Sequence, residues 1–173
     1  ILSTLITRLK INDEKLSGTL ESINKIDKEA IKRINRIVKS LKSFVRLDES
    51  DLQEADINKE LDLTLELIRH ETKNRIKITR NYTEIPLIKC YPNMLNQVFM
   101  NLLINACHSI ENTGEIVIST AFSNGNLIVK IKDDGSGIDD KIKDKIFNAG
   151  TTTKKIGTGL GLAITKKIIE KHR

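Results

Sequence analysis

Apolar positions in the first third of the chain recur at helical spacing. Leu16, Leu20, Ile23, Ala30, Ile34, Ile37, Leu41 and Phe44 follow one another mostly at steps of three or four, with charged residues filling the gaps. Such a stripe predicts one long amphipathic helix. Residues 1–55 contain no proline and a single glycine, Gly18, so nothing local breaks it. A shorter pattern, Leu2, Leu5 and Leu9, precedes it across the polar turn Asn12-Asp13-Glu14. The expectation is a helical hairpin whose apolar stripe is covered by a second copy in a four-helix bundle.

Asp48 to Asp56 is acidic and polar and reads as a linker, which places the domains at 1–55 and 56–173. Beyond it the periodicity changes. Asn58 to Glu71 reads as a helix, Arg75 to Tyr82 alternates like a strand, and Leu87 to Cys90 makes a short strand behind Pro86. Pro92 to Glu111 reads as a helix with proline near its start, where a missing N–H costs least. Glu115 to Phe122 and Asn126 to Lys132 form a hairpin around Asn124-Gly125. A glycine-rich segment and a last helix from about Leu160 follow. This mixture predicts an α+β domain, a mixed sheet with helices on one face, preceded by the helical hairpin.

Composition narrows the function classes. A hydrophobic content of 39% supports a core, and charged residues at 30% fit a soluble domain. The net charge of +6 arises from Lys and Arg interleaved with Asp and Glu, a solvated face rather than a nucleic-acid stripe, and stacking aromatics are scarce. Cys90 and Cys107 have no metal or redox spacing and read as small buried hydrophobes in a reducing, cytoplasmic setting. No run approaches the roughly 18 apolar residues of a membrane span. The chain opens on Ile1 and stops inside a helical pattern, so it reads as a fragment whose parent's membrane contact is unknown.

Three segments carry candidate chemistry. Asn101 and Asn105 lie four apart, so both amides project from one helix face, and His108 follows on the next turn. Amide oxygens suit a hard Mg ion that takes its other ligands from water and phosphates. Asp133-Asp134-Gly135-Ser136-Gly137-Ile138 comes straight after a strand, where a carboxylate can accept from an exocyclic amine such as that of adenine. Gly157-Thr158-Gly159-Leu160-Gly161-Leu162 opens the last helix, exposing backbone N–H groups where the dipole favours an anion. Thr151 to Lys155 add hydroxyls and positive charge just upstream. No Gly-Lys-Ser/Thr follows these glycines, so this is not a Walker loop.

In order and spacing these segments resemble the ATP-binding domain of histidine kinases, within the superfamily shared with type II topoisomerases, mismatch-repair ATPases and a heat-shock chaperone. Leu95 to Ala106 looks like the N box, Asp133 to Ile138 the first glycine box, Ile146 to Lys154 the F box with its threonine-lysine segment, and Gly157 to Leu162 the second glycine box. The resemblance implies ATP and Mg as cofactors. Asn101 and Asn105 would hold the metal and phosphates, and Asp133 the adenine amine. Gly135, Gly137 and Ile138 would shape the base pocket. Thr153, Lys154, Gly157, Thr158, Gly159, Leu160 and Gly161 would form the lid and bind phosphates, with His108 as a further phosphate contact. Ile34 to Phe44 is similar to the second helix of the family's dimerisation hairpin, and with Asp56-Ile57-Asn58 it looks most like the nitrogen-regulator type of sensor kinase. The function implied is transfer of the γ-phosphoryl of ATP to a histidine on the hairpin of a homodimer, for relay to a response regulator.

The sequence departs from that pattern in three places. No His precedes His70, and His70-Glu71 lacks the proline of a phosphoacceptor box, so the acceptor histidine is absent from this chain. The lid from Lys154 to Gly157 is short. Gly150-Thr151 stands where an aromatic pair is usual. A nucleotide-responsive dimeric binding module, or a superfamily ATPase without histidine phosphorylation, is the alternative.

Overall fold

The computed structural model describes residues 17–28, 30–31, 34, 51–152, 154 and 157–172. It divides into two compact units, residues 1–45 and 46–173. In the first, residues 17–28 are helical, as the apolar stripe predicts, and Ile23, Ile26, Ile31 and Ile34 are exposed. The Leu2–Leu9 arm and the stripe beyond Ile34 lie outside the described residues.

In the second unit, strand β1 (Gln53–Ala55) leads into helix α1 (Ile57–Leu67) and a short helix α2 (Arg69–Thr72). Strands β2 (Ile76–Asn81) and β3 (Ile88–Cys90) come next, then helix α3 (Pro92–Ser109). The hairpin β4 (Gly114–Ser123) and β5 (Asn126–Asp133) is followed by a 3-10 turn at Lys143–Lys145 and helix α4 (Gly161–Lys171). The sheet has the order β2-β4-β5, β2 running parallel to β4 and β5 antiparallel to it. A parallel pair needs a long crossover, and here it carries β3 and α3. The fold is therefore a mixed α+β arrangement, as expected. Asn124 and Gly125 both have positive φ, 51° and 77°, the geometry of a type I′ turn, which is why Asn-Gly closes the hairpin.

Two local expectations differ from the structure. Gln53–Ala55 sits in the stretch read as linker, yet it pairs antiparallel with β3, Gln53 opposite Cys90. The helix expected over Asn58 to Glu71 is interrupted at Ile68, which is buried and takes a non-helical ψ of 8°. The start of α1 is set by Asp56, whose side chain accepts from the backbone N–H groups of Asn58 and Lys59.

The core lies between the helices and β4. Ile116, Ile118 and Thr120, alternating on β4, are buried, as are Leu61 on α1, Leu103 on α3 and Ile164 and Ile168 on α4. Helix α3 packs on both α1 and α4 and on β5, so it is the element around which the unit is built. Its C-terminal end is held by Arg75. The guanidinium donates to the carbonyls of Cys107 (2.8 Å), Ile110 (2.7 Å) and Glu71 (3.0 Å). These are carbonyls that a helix end leaves without an intrahelical partner. Arg75→Met keeps the stem but orphans all three, and we expect it to cost about 2–3 kcal/mol of stability. The check is a lower urea midpoint at an unchanged slope; an unchanged midpoint would contradict the role.

Candidate nucleotide site

Asn101, Asn105 and Ser109 are spaced by four along α3, so they line one face over about 12 Å at 1.5 Å per residue. At the first, Asn101 Nδ2 donates to the Gly161 carbonyl oxygen at 3.1 Å and approaches Thr165 Oγ1 at 3.4 Å. That fixes the amide: its nitrogen is turned toward α4, and its oxygen is left as a neutral donor atom. Gly161 opens α4, whose first N–H groups have no intrahelical acceptor and no side-chain cap. A hard oxygen and an anion-seeking helix end therefore sit side by side.

One turn further on, Lys154 reaches α3 from the loop. Its Nζ donates to Asn105 Oδ1 at 2.8 Å and lies 3.0 Å from His108 Nδ1. An ammonium has only donors, so His108 Nδ1 is the acceptor of that contact and its ring proton resides on Nε2. Lys154 is exposed as a residue, yet desolvation of its ammonium pulls its pKa below the ordinary lysine value. The loop is shaped by its glycines. Gly159 has φ 66°, and a Cβ there would stand 2.4 Å from the Gly150 carbonyl carbon, while the Gly150 N–H donates to the Gly159 carbonyl at 3.0 Å. Thr152 Oγ1 accepts from the Lys154 N–H, and Thr158 Oγ1 from the Leu160 N–H, each tightening one turn.

At the other end of the face, the two aspartates after β5 separate. Asp134 Oδ1 accepts from the Glu115 N–H on β4 and packs against Gly114, so its carboxylate serves the sheet. Asp133 turns toward α3: its Oδ1 lies 2.7 Å from Ser109 Oγ and accepts from the Gly135 N–H at 3.1 Å. Gly137 follows with φ 74°, and Ile138 stands 49% exposed.

Seven of the residues expected from sequence are thus brought together in two groups against α3. Asn101, Asn105, His108, Lys154 and Gly161 form the first, and Asp133 with Gly135 the second. Thr153 lies outside the described residues. Sequence reasoning missed Ser109 and Thr165. Ser109 had a signal, the continued spacing of four after Asn101 and Asn105; Thr165 had none before α4 was placed. The donor set fits a divalent cation bound with a polyphosphate once Lys154 turns from Asn105 Oδ1 to the phosphates: Asn101 Oδ1 and Asn105 Oδ1 are then two neutral amide oxygens, with the charge supplied by phosphate. Among the described residues there is no cluster of three His, Cys, Asp or Glu that would hold a metal by itself, and no helix is long and apolar enough to cross a membrane.

The family model described as histidine kinase-, DNA gyrase B- and HSP90-like ATPase matches residues 90–173. The sensor histidine kinase ZraS of Escherichia coli strain K12 is 35% identical over 143 residues, covering 81% of this chain and 30% of that protein. The chain therefore spans under a third of that relative's length. Among solved structures, the catalytic domain of histidine kinase ThkA superposes with a TM-score of 0.65 at 27% identity, covering 70% of this chain and 82% of that one. ThkA in complex with the response regulator protein TrrA gives 0.68 at 21% identity, covering 99% of this chain and 50% of that one, a likeness of fold.

Proposed function

We propose that this chain, whose residues 90–173 match the histidine kinase-, DNA gyrase B- and HSP90-like ATPase family model, is the catalytic part of a sensor histidine kinase, binding Mg-ATP and donating its γ-phosphoryl to a histidine. The observation that carries the reading is the meeting of Lys154 with Asn105, 49 residues apart, beside the uncapped start of α4. Positive charge, an amide oxygen and open N–H groups converge where a triphosphate would lie. Asn101 and Asn105 would hold Mg, which when bound neutralises charge on the phosphates. Lys154 and the N–H groups at Gly161 stabilise the charge that moves to the bridging oxygen as the bond to the γ-phosphorus breaks. Asp133 places the base at the far end of the face, which fixes the direction of the triphosphate.

The acceptor would be a histidine outside this sequence, on the helical hairpin to which the helix at residues 17–28 would belong. The chain's own histidines do not suit: His70 sits exposed on α2 beside Glu71, His108 lies within the site, and His172 caps the end of α4. The exposed stripe of Ile23, Ile26, Ile31 and Ile34 supports a homodimer through that hairpin. A response regulator is the partner that would take the phosphoryl group onward. Within the sensor kinases, the patterns Ile34 to Phe44 and Asp56-Ile57-Asn58 support the nitrogen-regulator type.

The test is transfer. With γ-labelled Mg-ATP and a separately made, histidine-bearing hairpin of a related sensor kinase, label is expected on the hairpin in an acid-labile, base-stable form. Asn105→Ala should reduce the rate at least about 100-fold, as loss of a group that positions metal and phosphate does. Label that survives acid, or a rate indifferent to Asn105→Ala, would contradict the reading.

A further inference from the structure

Nothing in the family resemblance assigns a task to Ser109, yet the structure fastens the base end of the site to it. The Gly135 position is so close to Ser109 that a Cβ would meet Ser109 Oγ at 2.3 Å and its carbonyl carbon at 2.6 Å. The Ser136 N–H donates to the Ser109 carbonyl at 3.0 Å. The Ser109 hydroxyl itself lies 2.7 Å from Asp133 Oδ1 and 2.8 Å from the Ala106 carbonyl oxygen. It has one proton to give, and of these two acceptors the carboxylate makes the stronger, charge-assisted bond. Backbone and side chain of one residue thus hold the whole Asp133–Ser136 turn against the end of α3.

The consequence lies in how Asp133 is spent. Its Oδ1 takes both donors, the Ser109 hydroxyl and the Gly135 N–H, on one side of the carboxylate. Among the described residues Oδ2 has no hydrogen-bond partner. A carboxylate left to rotate would present either oxygen, and water could bridge it to acceptor or donor alike. Held by two donors at Oδ1, it presents a single acceptor-only oxygen at a fixed angle. An exocyclic amine satisfies such an atom; a ring carbonyl in the same place faces it with like partial charge. We infer that Ser109 is a positioning residue for base selection, setting the preference of the site for a 6-amino purine over a 6-oxo purine by locking Asp133. This deepens the proposed nucleotide-binding function and rests on it.

The selectivity ratio tests the inference, because a merely structural role would lower affinity for all nucleotides alike. Mg-ATP and Mg-GTP are titrated by calorimetry into the chain and into its Ser109→Ala, Ser109→Thr and Asp133→Asn/Ser109→Ala variants, each first shown to be folded by circular dichroism. The expectation is that Ser109→Ala loses about tenfold in ATP affinity, the scale of one hydrogen bond to a charged group, while GTP affinity is unchanged. Ser109→Thr, which keeps the hydroxyl, should keep the ratio. Added to Asp133→Asn, Ser109→Ala should cost no further ATP affinity, since the carboxylate it positions is gone. An unchanged ATP/GTP ratio in Ser109→Ala, or equal losses in the alanine and threonine variants, would overturn the inference while leaving the nucleotide site intact. A parent chain that binds neither nucleotide would instead remove the reading on which it rests.

Discussion

Asp133→Asn is expected to weaken ATP binding by about 100-fold, more than an isolated hydrogen bond is worth, because the substituted amide has no good orientation. Two donors, the Ser109 hydroxyl and the Gly135 N–H, both point at Oδ1. The asparagine oxygen must occupy that position to satisfy them, which turns its NH2 outward. Where the aspartate would offer an acceptor to the base amine, the variant offers a second donor. The loss then combines a missing charge-assisted bond with an opposed pair of donors. Stability should hardly change, since the Oδ1 contacts survive. Competition of unlabelled ATP against a fluorescent nucleotide measures the effect; a loss below about threefold would mean that Asp133 does not meet the base.

Leu103→Ala should be the most damaging single truncation for stability, at about 2–5 kcal/mol. Leu103 is fully buried on α3, the helix that touches α1, α4 and β5 together, so its removal opens a cavity where the layers meet. Against the roughly 5–15 kcal/mol that holds an ordinary domain together, that is a large fraction. The same helix carries Asn101, Asn105 and Ser109, and loosening it disturbs both ends of the site. If ATP binds only the folded chain, ATP at about 100 times its Kd returns about 2.7 kcal/mol of apparent stability. Thermal melting with and without ATP reads both quantities. Leu63→Ala provides the contrast: Leu63 on α1 is 60% exposed, and its truncation should be near neutral. A Leu103→Ala melt matching that of Leu63→Ala would contradict this picture of the core.

Much of this arrangement was legible before the structure, for reasons that differ by element. The hairpin was readable because Asn-Gly between two alternating runs admits few other conformations. Helix α3 was readable because Pro92 marks a helix start, where a missing N–H costs least. By contrast, β1 looked like linker: Gln53 and Glu54 are exposed and polar, and only pairing with β3, 35 residues on, makes the segment a strand. Local pattern does not contain that information. The break at Ile68 was hidden for a similar reason, since burial of one side chain turned the chain where propensity would have continued the helix.

In the site, the types and spacing of Asn101, Asn105, Asp133 and the glycines pointed to the chemistry, but the division of labour did not follow from sequence. Asp133 and Asp134 are adjacent and alike; the family resemblance singled out Asp133, but not that Ser109 and Gly135 hold it while Asp134 is taken up by the Glu115 N–H. Likewise Asn101 and Asn105 share a face yet differ in role, one amide braced on α4 and the other met by Lys154.

On the proposed reading, this chain holds ATP through a divalent cation on the Asn101–Asn105 face. Titrating ATP into the chain in the presence of Mg, and again with the metal chelated, tests it most directly. Saturable binding is expected with Mg, with a loss of about tenfold or more without it, since the amide oxygens would reach the phosphates through the cation. A folded chain that gives no saturable heat with Mg-ATP, or binds equally well without metal, would contradict it.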